Sequence, residues 1–119
     1  SVAQPVMAKP PLSQVPQIDD ALMQVAIADE IRRNCDGISA RMFRALARLD
    51  QLKNKAKSLG YSKQEIEDYV TSKSEKRRMK AKAVAYLAKQ GVDYQVNAQL
   101  CSFGKAQIKA GTGIGTLLR

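Results

Sequence analysis

The sequence predicts an all-α fold: a small bundle of about four helices, entered through an extended, proline-rich N-terminal arm. Three observations carry this expectation. Apolar residues recur at three- and four-residue spacing from Ile18 to Ala110, the pattern of helices that bury one stripe. Gly37, Gly60 and Gly91 punctuate those segments where a helix would stop. All four prolines, Pro5, Pro10, Pro11 and Pro16, precede the first of them. The 119 residues suit one domain, divided into an arm over 1–17, a helical domain over 18–110 and a glycine-rich tail over 111–119.

The arm, "SVAQPVMAKPPLSQVPQ", has no helical period and reads as polyproline-like chain. Val2, Val6, Met7, Leu12 and Val15 are too many apolar residues for a solvated spacer, so the arm is expected to lie along a surface, its own or a partner's. On this reading, deleting residues 1–16 leaves the helical fold nearly intact and weakens attachment to a partner.

Helix one is expected from Ile18 to Asn34, with Asp19 and Asp20 complementing the positive end of its dipole. Leu22, Val25, Ile27 and Ile31 form its apolar side. Helix two is expected to start at Ser39 as N-cap and to run to Leu59, burying Met42, Leu46, Leu49, Leu52, Ala56 and Leu59. Arg41, Arg44, Arg48 and Lys55 recur along another side of it. In "YSKQEIEDYV", Ser62 and Glu65 form a capping box that opens helix three. A kink or restart is expected at "TSKSE", because Thr71, Ser72 and Ser74 compete for backbone hydrogen bonds. Helix then continues to Gln90, with Met79, Ala83, Tyr86 and Leu87 inward. Lys76, Arg77, Arg78, Lys80 and Lys82 form the densest positive cluster. Asn97 is expected to cap a last helix to Ala110 that buries Leu100, Cys101 and Ile108.

With 20 Lys and Arg against 11 Asp and Glu, the formal charge is +9. Such a surface attracts nucleic acid, anionic headgroups or an acidic protein. From Asp19 to Asp36 the acids Asp19, Asp20, Asp29, Glu30 and Asp36 outnumber the bases Arg32 and Arg33, and from Arg41 to Lys89 the balance reverses, so the molecule is expected to be electrically polar. No stretch approaches the roughly 20 apolar residues of a membrane-spanning helix. The chain begins at Ser1, which suggests removal of a signal peptide.

The two cysteines, Cys35 and Cys101, lie 66 positions apart. They have neither the spacing nor the histidines of a metal site, and no Cys-x-x-Cys redox motif exists. Two buried free thiols or one disulfide remain. The even count in a short chain favours a bridge and a compartment outside the cytoplasm.

Catalysis finds little support. There is no histidine for general-base work, no activated thiol and no nucleophile elbow. Glu65 and Asp68 sit at a helix start, where capping alone explains acids. Gly111, Gly113 and Gly115 lack the strand and helix that a dinucleotide loop needs. No catalytic residue, cofactor or metal is therefore expected. DNA binding through the basic helices lacks a compact helix-turn-helix joint. An interaction module facing a partner and anionic headgroups fits better.

The stretch "IADEIRRNCDGISARMFRALARLDQLKNKAKSLGYSKQEIEDYV", with "SEKRRMKAKAVAYL", "QLCSFGKAQI" and the closing "GIGTLLR", resembles a small family of alphaproteobacterial proteins classed as a domain of unknown function. The resemblance covers everything after the arm. Its most specific elements are the I-x-x-N-C end of helix one, "KAKSLGYS" and the Cys101 segment. Members look like secreted precursors with two cysteines, encoded among the subunits of respiratory complex I.

The resemblance implies a non-catalytic periplasmic accessory or assembly subunit that stabilises that NADH:ubiquinone oxidoreductase and associates peripherally with the membrane after signal-peptide removal. Its implied partners are subunits of the membrane protein complex and anionic phospholipid headgroups, with no nucleic acid. Only Cys35 and Cys101 carry over from the family. Residues expected to contact partner or lipid are Arg41, Arg44, Arg48, Lys76, Arg77, Arg78, Lys80, Pro5, Pro10 and Pro11. The alternative is a free-standing periplasmic binding or stress protein, and the third reading is a DNA-binding helical protein.

Overall fold

The computed structural model describes residues 9–119. Among these, five α-helices and two short 3-10 turns form the fold, with one isolated bridge between Ala40 and Leu118 and no strand. Helix α1 (Pro16–Asn34) is the central element, against which α2 (Met42–Ser58), α4 (Lys73–Lys89) and α5 (Asn97–Ala110) pack. Helix α3 (Lys63–Thr71) joins α2 to α4.

Helix α1 begins at Pro16, two residues before the expected start. Proline suits the first helical position, where its missing N–H has no helical partner to lose and its φ is already set. Ile27 and Ile31 on its inner side are fully buried, enclosed with Leu87, Leu100, Leu117 and Leu118. Helix α5 approaches closely because residue 104 is glycine: a Cβ there would lie 2.8 Å from Ile31 Cγ2. The disulfide between Cys35 and Cys101, with Cα atoms 5.5 Å apart, ties the end of α1 to the second turn of α5.

The capping box of α3 forms as expected, Ser62 Oγ accepting from Glu65 N at 3.1 Å while Glu65 Oε1 accepts from Ser62 N at 3.0 Å. The suspected restart is real. Ser72, extended at φ −67° and ψ 143°, ends α3 and caps α4 through its hydroxyl. Asn97 does not cap α5. Val96 holds that position without a side-chain bond, and the Asn97 amide donates instead to Asn34 O at 2.6 Å.

Three expectations need correction. The arm does not stay extended to residue 17, and of the two surfaces expected for it, from residue 9 onward it lies along its own. Leu12–Gln14 form a 3-10 turn, and Leu12 is buried in a second cluster with Ile18, Ala56, Tyr61, Ile66 and Tyr69. The Tyr61 hydroxyl donates to Pro10 O, and Lys9 Nζ donates to Gly60 O. The arm from residue 9 onward therefore packs on its own domain, so deletion of residues 1–16 should destabilise the fold. Truncating Leu12 to Ala removes most of that anchor. It should cost about 2–3 kcal/mol, read as a lower urea midpoint.

The tail is likewise part of the core. After α5 ends at Gly111 in the left-handed region, φ 64°, Ile114, Leu117 and Leu118 turn inward. Residue 115 must be glycine, since a Cβ there would meet Gln107 O at 1.8 Å. Arg119 exchanges both backbone hydrogen bonds with Ser39, and Arg41 N donates to Leu117 O at 2.8 Å.

Helix α2 is rolled differently from its expected orientation. Ser39 is occupied by the tail, so the helix starts at Met42 with Arg41 in the cap position. Only Ala56 is buried; Leu49 and Leu52 are half-buried, and Met42, Leu46 and Leu59 are exposed. The arginine edge explains the roll. Arg41 Nε donates to Leu118 O at 3.3 Å, Arg44 Nη1 to Thr116 O at 3.2 Å and Arg48 Nη1 to Gly113 O at 2.7 Å. Those carbonyls lie in and beside the short 3-10 turn Gly115–Leu117, which offers them no further helical N–H, and need donors. With the cationic edge on the tail, the apolar stripe turns toward the open side of α1.

Candidate docking surface

The outcome of that roll is an apolar surface without a cover. Met42, Phe43 and Leu46, all in the first turns of α2, are 55%, 90% and 57% exposed. Three large side chains clustered on one small helix face form a patch, which a lone exposed leucine would not.

Beside the patch, a depression of about 280 Å³ lies between α1 and α2, with Leu22, Val25 and Ala26 on one side and Met42, Leu46 and Leu49 on the other. Across α1, a second depression of about 390 Å³ opens toward α3, where Val70 contributes, and α4, where Lys76, Met79 and Lys80 do. Leu22, Ala26 and Asp29 line both. The two therefore adjoin across these three side chains of α1, forming a concavity that runs over the helix.

The carboxylates at this rim are already engaged. Asp29 pairs with Arg32 at 2.8 Å and Arg33 at 2.5 Å, and Glu75 with Arg78 at 2.8 Å. The Asp29 carboxylate holds the Arg33 guanidinium above its ordinary pKa. Glu30 accepts from Tyr94 Oη at 2.7 Å; that hydrogen bond, aided by burial, pushes the Tyr94 phenol up. Lys76 and Lys80 are different. Both are exposed, and among the described residues neither pairs with a carboxylate; Lys80 Nζ lies 5.3 Å from the Tyr94 ring centroid.

The residues expected to contact a partner thus separate into groups. Lys76 and Lys80 stand on the concavity's α4 wall, and Arg77 is exposed on the same helix. Arg41, Arg44 and Arg48 instead hold the tail. Arg78 bonds Asp19 and Glu75. Pro10 and Pro11 are exposed at the start of the described arm, with the Pro10 carbonyl taken by Tyr61; Pro5 lies outside the described residues. Sequence reasoning missed Met42, Phe43 and Leu46 as surface residues.

It also missed Asp19, only 1% exposed, which accepts from Tyr69 Oη at 2.5 Å, Arg78 Nη2 at 2.6 Å and Lys82 Nζ at 2.6 Å. Burial alone would raise the Asp19 pKa, but the bonds from Arg78, Lys82 and Tyr69 more than offset it and hold the carboxyl below its ordinary value. Burial, with the neighbouring Asp19 carboxylate, pushes the Tyr69 phenol far up. Hydrogen bonding to Asp19 does the same for the Arg78 guanidinium. This cluster joins α1, α3 and α4, with the Asp19 carboxylate buried and the Arg78 and Lys82 side chains about a third exposed.

Among the described residues, no group of three or more Cys, Asp or Glu side chains is placed to hold a metal ion, and no helix is long and apolar enough to cross a membrane. The chain belongs to a family of unknown function (DUF5333), whose family model matches residues 10–119. No curated protein and no solved structure matches it.

Proposed function

We propose that this chain is a non-catalytic accessory subunit that docks on, and stabilises, a respiratory membrane complex from its periplasmic side. Complex I is the complex that the resemblance implies. The observation that carries the reading is the uncovered cluster of Met42, Phe43 and Leu46, held on a bundle whose ends are closed by a disulfide and a buried tail. Exposed apolar surface on a small protein marks a site that another surface covers. A disulfide favours an oxidising compartment. The chain's own polar network is spent on holding helices together.

The test is native electrophoresis of detergent-solubilised source membranes, followed by detection of this chain and of NADH dehydrogenase activity. Comigration in one high-mass band is expected. Recovery of the chain as a free, small species in the osmotic-shock fluid would favour the free-standing periplasmic reading instead.

A further inference from the structure

We infer that the concavity over α1 receives one amphipathic helix of a partner protein, its apolar stripe against Met42, Leu46 and Leu22 and its acidic edge against Lys76 and Lys80. This rests on the docking reading above and names the kind of partner that reading requires.

The shape comes first. Two depressions flank α1, one toward α2 and one toward α4, and share Leu22, Ala26 and Asp29, so a helix laid over those side chains reaches both walls of the trough. A helix is about 10 Å across with its side chains, and helices pack with axes about 8–10 Å apart, so an added helix suits a trough between two others. Ala26 in the floor is small enough to permit that approach. Phe43 is 90% exposed and lines neither depression, so a flat bilayer surface resting on it would leave the trough unfilled.

Charge selects the occupant. The α2 wall is apolar: Met42, Leu46 and half-buried Leu49. On the α4 wall stand Lys76 and Lys80, whereas the carboxylates facing the trough, Asp29, Glu30 and Glu75, each already bind a partner within the chain. A helix with apolar residues at i, i+4 and i+7 and glutamates along one edge satisfies both walls together. The formal charge of +9 would also steer an acidic segment toward the site.

The test uses the purified, oxidised chain and two fluorescein-labelled synthetic helical peptides of about 18 residues, five turns, with identical leucine stripes. One peptide carries glutamates beside the stripe and the other lysines. The glutamate peptide should bind about tenfold or more tightly than the lysine peptide by fluorescence anisotropy. The double variant Lys76→Glu with Lys80→Glu should reverse that preference, and Leu46→Asp should weaken the glutamate peptide about tenfold. All three positions are exposed, so circular dichroism should show the wild-type helix content in each variant.

Equal affinity for both peptides, binding of neither, or indifference to the charge reversal would overturn the inference. Vesicles of phosphatidylglycerol and phosphatidylcholine are run alongside. Binding to vesicles through Phe43 while both peptides are ignored would overturn it in favour of a lipid surface. These measurements need no native complex, so their failure is distinguishable from failure of the comigration experiment, which tests the docking reading itself.

Discussion

Replacing both cysteines, Cys35→Ser together with Cys101→Ser, should lower the unfolding free energy by about 4 kcal/mol. The bridge spans 66 positions of sequence and joins the residue that ends α1 to the second turn of α5. Without it, the unfolded chain regains the freedom of that long loop, while the folded helices keep nearly the same contacts. The loss is a large share of a small domain's stability, typically about 5–15 kcal/mol in total. Urea titration of the oxidised wild type and the double variant measures it, and reduction of the wild type should shift the midpoint by a similar amount. An unchanged midpoint would mean that the α1–α5 contact around Ile31 and Gly104 persists in the unfolded state or that the bridge is strained.

Neutralising Asp19 should be nearly as costly. In Asp19→Asn the buried partner of Arg78 and Lys82 loses its charge, and breaking such a pair typically costs about 3–5 kcal/mol. The two cations are about a third exposed, and Glu75 still pairs with Arg78, so the lower end, about 3 kcal/mol, is expected. The quadruple variant Asp19→Leu, Tyr69→Phe, Arg78→Met, Lys82→Met removes all three charges and the buried hydroxyl that bonds Asp19, and should recover most of that loss, because neither a buried charge nor a buried donor of the cluster is left unpaired.

The same cluster sets an acid limit. The Asp19 carboxyl is depressed in the fold below its ordinary value of 3.8. Its contribution is fully present above that value and is lost as the pH falls through the lower, folded pKa. Stability should therefore be flat at neutral pH and decline below about pH 4, with the slope reduced in Asp19→Asn. Thermal melts at a series of pH values test this, and an identical pH profile in the variant would contradict it.

Much of the fold was legible because it depends on local chemistry. The stops at Gly37, Gly60 and Gly91 coincide with positive φ in the structure, and Ser62 with Glu65 caps α3 as its spacing requires. The disulfide was legible from the even count, although spacing alone left free thiols open.

What failed depended on partners distant in sequence. Helix α2 carries two stripes at helical spacing, one apolar and one basic, and periodicity identifies both without saying which one meets the rest of the chain. The basic stripe found the tail carbonyls of Gly113, Thr116 and Leu118, a tail whose 3-10 turn has no helical period to announce it. Asp19 looked like an ordinary first-turn acid. The one signal for its burial was Arg78 and Lys82, four residues apart on α4 beside the inward Met79 and Ala83.

The uncovered face of α2 is the centre of the functional account, and hydroxyl-radical footprinting read by mass spectrometry tests it most directly. In the free chain, exposed Met42 and Phe43 should oxidise readily while buried Met23 and Met79 resist. In the detergent-solubilised membrane complex, Met42, Phe43 and Leu46 should become protected, with little change at exposed Val84 and Val96. Equal oxidation of Met42 and Phe43 in the free and complex-bound chain would contradict the account, because the face it assigns to the partner would still be open to water.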